Sequence, residues 1–166
     1  EVGRLISELR DTPCGQEHCG YYSTTHDPRH ELRRYFAPIQ DFRSEPDGRT
    51  LQHDVVLAGM QGKHVLAILA TGGGKSLCYQ LPALNRFHRN GSLTVIISPL
   101  QSLLKDQVDG LLARNVQCAA TLNGLLTMPE RAEVLEKIQL GDVGILLVSP
   151  EQFRNKAFRR AIAQRQ

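Results

Sequence analysis

Residues 64–84 read HVLAILATGGGKSLCYQLPAL, and they constrain the fold more than any other stretch. A continuous apolar run of strand length, 64–70, leads into three glycines, then Lys75 and Ser76 at the head of a helical pattern. Such a run fits a strand buried on both faces, as in a parallel sheet. Glycines between strand and helix allow a tight wrap in which no Cβ blocks access to the backbone N–H groups. The positive end of the following helix adds its dipole. The competing reading is a plain strand-to-helix turn with an incidental lysine. Strand, glycines, Lys-Ser and helix all coincide, which favours a cradle for nucleotide phosphates. In that cradle Gly72, Gly73 and Gly74, with Thr71, wrap the anion, Lys75 reaches the β- and γ-phosphates, and the Ser76 hydroxyl ligates Mg²⁺.

The surrounding pattern alternates. LQHDVVLAGMQG, from residue 51, predicts a helix with Leu51, Val55 and Ala58 on one face, ended by Gly62. LTVIIS, 93–98, predicts a second buried strand. After Pro99, the residues Leu100, Leu103, Leu104, Val108, Leu111 and Leu112 trace an amphipathic helix. VQCAATL predicts a third strand. Thr127 and Glu130 form a capping box, with Pro129 in the first turn, ahead of a stripe of Val134, Leu135 and Ile138. VGILLVS, 143–149, predicts a fourth strand. The rhythm indicates an α/β domain with a mostly parallel sheet. Residues 1–34 read as an irregular N-terminal segment, and 35–166 as the domain proper.

Composition narrows the function classes. With 166 residues and 41% hydrophobic content the chain can bury a core. A net charge of +3 permits a nucleic-acid partner without requiring one. No apolar run reaches membrane-span length, and the N-terminus lacks a signal peptide's apolar centre. Four scattered cysteines argue against a disulfide framework, so a reducing, cytoplasmic setting is expected. The chain starts at Glu1 rather than methionine, which suggests a piece of a longer protein.

TGGGKSLCYQLPAL resembles the phosphate-binding segment of RecQ-type DNA helicases, members of helicase superfamily 2. The usual G-x-x-x-x-G-K-[ST] pattern would put a first glycine at Leu69, and that superfamily commonly lacks it. Downstream, VIISPLQSLLKDQV (95–108) resembles the family's motif Ia, Leu122-Asn123 a further short motif, and LLVSPEQF (146–153) motif Ib. The resemblance implies most of the first of two RecA-like lobes. It also implies ATP with Mg²⁺ in the cleft between lobes, single-stranded and duplex DNA as partners, and 3′ to 5′ translocation driven by ATP hydrolysis. It places the family's adenine-binding glutamine in one of two positions. FAPIQ keeps Phe36, Pro38 and Gln40, with Ala37 where the family has arginine. FRSEPDGRTLQ supplies Phe42, Arg43 and Gln52 with extra loop residues between. Gln52 is favoured because its helix leads directly into the glycine loop, and an amide can donate to and accept from one adenine edge. Arg43 then lies against the base.

Motifs Ia and Ib are expected at the carboxyl ends of strands, where open α/β sheets bind ligands. Ser98, Ser102, Lys105 and Ser149 are the candidate DNA-phosphate contacts. Lys105 reads equally well as an ordinary solvated lysine. The tail FRNKAFRRAIAQRQ is either a phosphate-binding strip or a solvated helix. The family's D-E-x-H motif is missing, since no Asp-Glu dipeptide occurs in the chain. The fragment is therefore expected to bind ATP weakly without turning it over, the parent protein supplying the acidic motif and a second lobe. Separately, Cys14, Cys19, His26 and His30 have a loose zinc-ligand spacing, against the alternative of metal-free loop residues. Two other readings compete with the helicase lobe. One is another P-loop NTPase, such as a small kinase, although no lid or acceptor site is evident. The other is a non-catalytic nucleotide- or DNA-binding module.

Overall fold

The computed structural model describes residues 2–3, 5–6, 16, 18–70 and 72–165. The chain is α/β and divides into two units, Glu1–Asn90 and Gly91–Gln166.

In the first unit, helices α1 (Gly20–Thr25), α2 (Pro28–Phe36), α3 (Leu51–Met60) and α4 (Lys75–Asn90) enclose Leu32, Phe36, Val56, Leu81 and Leu84. Asp27 starts α2, its carboxylate accepting the Arg29 N–H at 2.8 Å, with Pro28 at the first helical position. Asn85 of α4 donates to the Thr25 carbonyl at the end of α1.

Helix α3 does not bury the face expected from sequence. Gln52, Val56 and Met60 are buried, whereas Leu51, Val55 and Ala58 are only half-buried. The reason is the contact with α4. Pro82 has no N–H to give within α4, and its ring packs on Gly59, where a Cβ would stand 2.9 Å from the Pro82 Cγ. Gly59 lies on the same side as Gln52 and Val56, so the close approach turns that side inward. The Arg86 guanidinium then donates to the Gly59 carbonyl at 2.6 Å.

The strand expected at 64–70 does not form, and Leu66 and Ile68 are 92% and 88% exposed. An apolar run becomes a buried strand only when neighbouring strands satisfy its backbone. Among the described residues, none pairs with it.

The second unit carries the sheet: β1 (Thr94–Ile97), β2 (Ala119–Leu122) and β3 (Ile145–Val148), all parallel, in the order β1-β3-β2. Its helices are α5 (Gln101–Leu112), α6 (Met128–Leu140) and α7 (Lys156–Ala163), with a short 3₁₀ turn over Pro150–Arg154. All four residues of the central strand are buried. Leu146 and Val148 join Leu122, Ile138, Phe158 and Ala161 in one cluster on the α6–α7 side. Helix α5 lies against β2 and β3 and buries Leu104, Val108 and Leu111. The Thr127–Glu130 capping box forms as expected, with Gly141 ending α6 in the left-handed conformation. No helix among the described residues is long and apolar enough to cross a membrane.

Candidate functional site

The glycine turn sits directly on the start of α4. Gly72 and Gly74 have φ of +77° and +70°, a backbone that side chains disfavour, and Gly73 donates its N–H to the Ala70 carbonyl at 3.0 Å. Lys75 and Ser76 are the first two residues of this 16-residue helix, where unpaired N–H groups and the dipole favour an anion. Lys75 is exposed and Ser76 half-buried. Thr71 lies outside the described residues.

The turn is held from behind. The Gln52 amide nitrogen donates to the Gly74 carbonyl at 3.1 Å, while its oxygen accepts the Arg43 backbone N–H at 3.1 Å. The Arg43 guanidinium donates to the Gly72 carbonyl. Two carbonyls of the turn thus point at this arm. A Cβ on Gly74 would stand only 2.3 Å from the Gln52 nitrogen. Gln52 is buried, whereas Gln40 is exposed and bonds locally to the Pro38 carbonyl. Of the two sequence placements, only Gln52 is brought against the turn. The donor set suits a magnesium–nucleotide: a glycine cradle, a lysine and a hydroxyl at a helix N-terminus.

In the second unit, Ser98, Asn123 and Ser149 follow the last paired residues of the three strands and so share the carboxyl edge of the sheet. The side chains of Asn123 and Ser149 are buried in the fold, whereas Ser98 is half-buried. Ser98 accepts the Leu100 N–H at 3.3 Å. Asn123 is buried and its side-chain oxygen accepts the Leu125 N–H at 2.8 Å. Ser149 is fully buried; its hydroxyl donates to Glu151 at 2.5 Å and accepts from Gln152 at 3.4 Å. That donated hydroxyl holds the Glu151 carboxyl below its ordinary range. Ser102 is exposed in the first turn of α5. Lys105 is exposed and paired with Asp109 at 3.0 Å on the next turn.

Sequence reasoning missed the rest of this network. Gln101 donates to Glu151 at 3.4 Å, and Arg131 of α6 donates to the Gln152 side-chain oxygen at 2.6 Å. The sequence carried little signal for it, since Gln152 sits among Ser149, Glu151 and Arg154 in a stretch that reads as a polar turn. In the basic tail, Arg165 donates to the carbonyls of Val143, Gly91 and Gly141 at 2.7, 2.7 and 3.2 Å. It fastens the end of the chain to the loops around the sheet, while Arg154, Lys156 and Arg159 stay exposed.

Of the zinc candidates, Cys14 lies outside the described residues. His26 is buried with its ring against Tyr21 and Tyr22, and His30 lies 3.5 Å from Glu31. Among the described residues no group of three metal-ligating side chains gathers.

A sequence profile of the DEAD/DEAH box helicases matches residues 49–165, taking in Gln52, the glycine turn and all three strands. The chain belongs to the DEAD/DEAH box helicase family. Within it the chain is of RecQ type. It is 48% identical over 107 residues to the ATP-dependent DNA helicase RecQ of Pasteurella multocida, covering 64% of this chain and 16% of that protein. It is 38% identical over 120 residues to the ATP-dependent helicase SGS1 of Saccharomyces cerevisiae, covering 72% and 8%. It is 43% identical over 102 residues to the human ATP-dependent DNA helicase Q4, covering 60% and 8%. The chain therefore spans about a sixth or less of the length of these relatives.

Proposed function

We propose that this chain is the ATP-binding part of a RecQ-type DNA helicase, its parent protein using ATP hydrolysis to move 3′ to 5′ along single-stranded DNA and open duplexes. The observation that carries this reading is the left-handed Gly72–Gly74 turn delivering Lys75 and Ser76 to the first turn of α4. Gly72, Gly74 and Lys75 would present backbone N–H groups and an ammonium to the phosphates, the Gly73 N–H being spent on the Ala70 carbonyl, and Ser76 would hold the magnesium ion. Bound magnesium draws charge off the phosphate oxygens and fixes their orientation. Gln52 and Arg43 brace this turn from behind, and on this reading the adenine is held on their side, the Gln52 amide exchanging its protein partners for the base. The carboxyl edge of the sheet, from motif Ia at 95–108 to motif Ib at 146–153, takes the DNA backbone.

Alone, the chain binds magnesium–ATP without hydrolysing it. Turnover needs an acidic residue on the metal and a group that positions water, and these 166 residues hold no Asp-Glu pair of the D-E-x-H kind. Calorimetry with magnesium–ATP should show binding that Lys75→Ala weakens by about tenfold or more, the loss of one charge-assisted contact. Phosphate release should stay at background. Absence of binding heat at millimolar nucleotide would refute the nucleotide site, and steady hydrolysis abolished by Lys75→Ala would refute the division of labour.

A further inference from the structure

We infer that Arg131, held by Gln152, supplies a fixed positive charge for a nucleic-acid phosphate at the carboxyl edge of the sheet. The inference rests on reading that edge as the DNA-binding one and adds a residue to it. The motif hydroxyls are neutral and supply no charge, and one of the three is out of reach of solvent. Ser149 is fully buried between Glu151 and Gln152, and Ser98 is engaged by the Leu100 N–H. Lys105 carries its charge a turn further along α5, against Asp109. Glu151 brings a carboxylate to the edge, which repels phosphate unless a cation answers it.

Arg131 answers that need. It lies in the first turns of α6, the helix that follows the end of β2, and it is half-buried. Its guanidinium meets the Gln152 oxygen at 2.6 Å, and the same glutamine donates to Ser149 at the end of β3. Gln152 is itself 5% exposed, so its amide is fixed by packing and by hydrogen bonds at both ends. A guanidinium has five N–H donors in a planar fork. The Gln152 bond orients the fork while leaving donors for a phosphate oxygen. Because that ordering is present before DNA arrives, less side-chain freedom is lost on binding.

The test uses the 166-residue chain and a fluorescein-labelled oligo-dT, with anisotropy titrations across a salt series. Arg131→Gln should weaken binding by about tenfold at low salt, and lower the slope of log affinity against log salt by about 0.7, the share of one single-strand phosphate. Arg131→Lys keeps the charge and should keep the slope. Gln152→Leu keeps the charge but frees the fork, so affinity should fall about threefold with the slope unchanged. Magnesium–ATP binding should be the same in all variants, which a general loss of structure would not allow. If the unsubstituted chain binds oligo-dT and Arg131→Gln matches it in affinity and slope, the inference is overturned and the edge remains the DNA site. Should Arg131→Lys prove as weak as a folded Arg131→Gln, charge is not the contribution and the inference also falls. If Arg131→Gln fails to fold, Gln152→Leu decides, and unchanged affinity there overturns the inference. No binding by the unsubstituted chain removes the DNA reading and the inference together.

Discussion

Gly72 and Gly74 share a left-handed backbone but differ in surroundings, which separates two causes of strain. A Cβ on Gly72 meets nothing within 4 Å, so Gly72→Ala should lose only the conformational term of about 1–2 kcal/mol. A Cβ on Gly74 lands 2.3 Å from the Gln52 nitrogen, so that nitrogen must move off the Gly74 carbonyl. Leaving that buried N–H without a partner adds about 1–3 kcal/mol. Urea denaturation of the two variants should therefore show Gly74→Ala clearly the less stable, with weaker nucleotide binding as well. Equal losses would mean that Gln52 does not hold the turn. The glycine turn and the helix that starts at Lys75 were legible from residue types alone, whereas the Gln52–Gly74 contact crosses 22 positions and needs three dimensions to be seen.

Helices α2 and α4 meet at a pair whose behaviour depends on pH. Tyr35 and His88 stack with centroids 5.3 Å apart and rings 13° from parallel, and the Arg34 guanidinium sits 5.0 Å over the Tyr35 ring. Burial, then the Arg34 charge, holds the His88 pKa below its ordinary value of 6.5, while buried Glu31 pulls the other way. Unfolded, the imidazole takes up its proton near the ordinary value; folded, it does so only at lower pH. Between those two points the unfolded chain binds more protons, so stability is fully present above about 6.5 and is lost as pH falls through the lowered value. Denaturation midpoints should drop more between pH 7.5 and 5.5 in the unsubstituted protein than in His88→Gln. The same drop in both would remove His88 as the cause. Local signals in the sequence marked most elements well: the Thr127–Glu130 box and the β-branched run of β1 stand where the pattern placed them. The inward side of α3 was not legible, because Gly59 against Pro82 sets it and periodicity ranks a glycine as neutral.

At the scale of the molecule, order should follow pairing rather than hydrophobicity. The runs at 64–70 and 145–148 look alike as sequence, both apolar, uncharged over most of their length and of strand size. Only the second is paired, with β1 on one side and β2 on the other, and all four of its residues are buried. The first leaves Leu66 and Ile68 facing solvent. Burial on both faces is a property of neighbours, and no pattern within the run itself encodes whether they are present. Hydrogen exchange reads this difference directly. Amides of Leu146 and Leu147 should open only with the sheet and be the most protected in the second unit. Amides at 65–68 should exchange within about tenfold of an unstructured chain, since opening there costs close to nothing. An exposed apolar run without charge is also an adhesive one. Ile68→Lys should accordingly raise the concentration at which light scattering first detects association, and leave the β3 amides as slow as before. Protection at 65–68 equal to that of β3 would show that the run has found a strand partner in solution, and Ile68→Lys would then destabilise the protein instead of dispersing it.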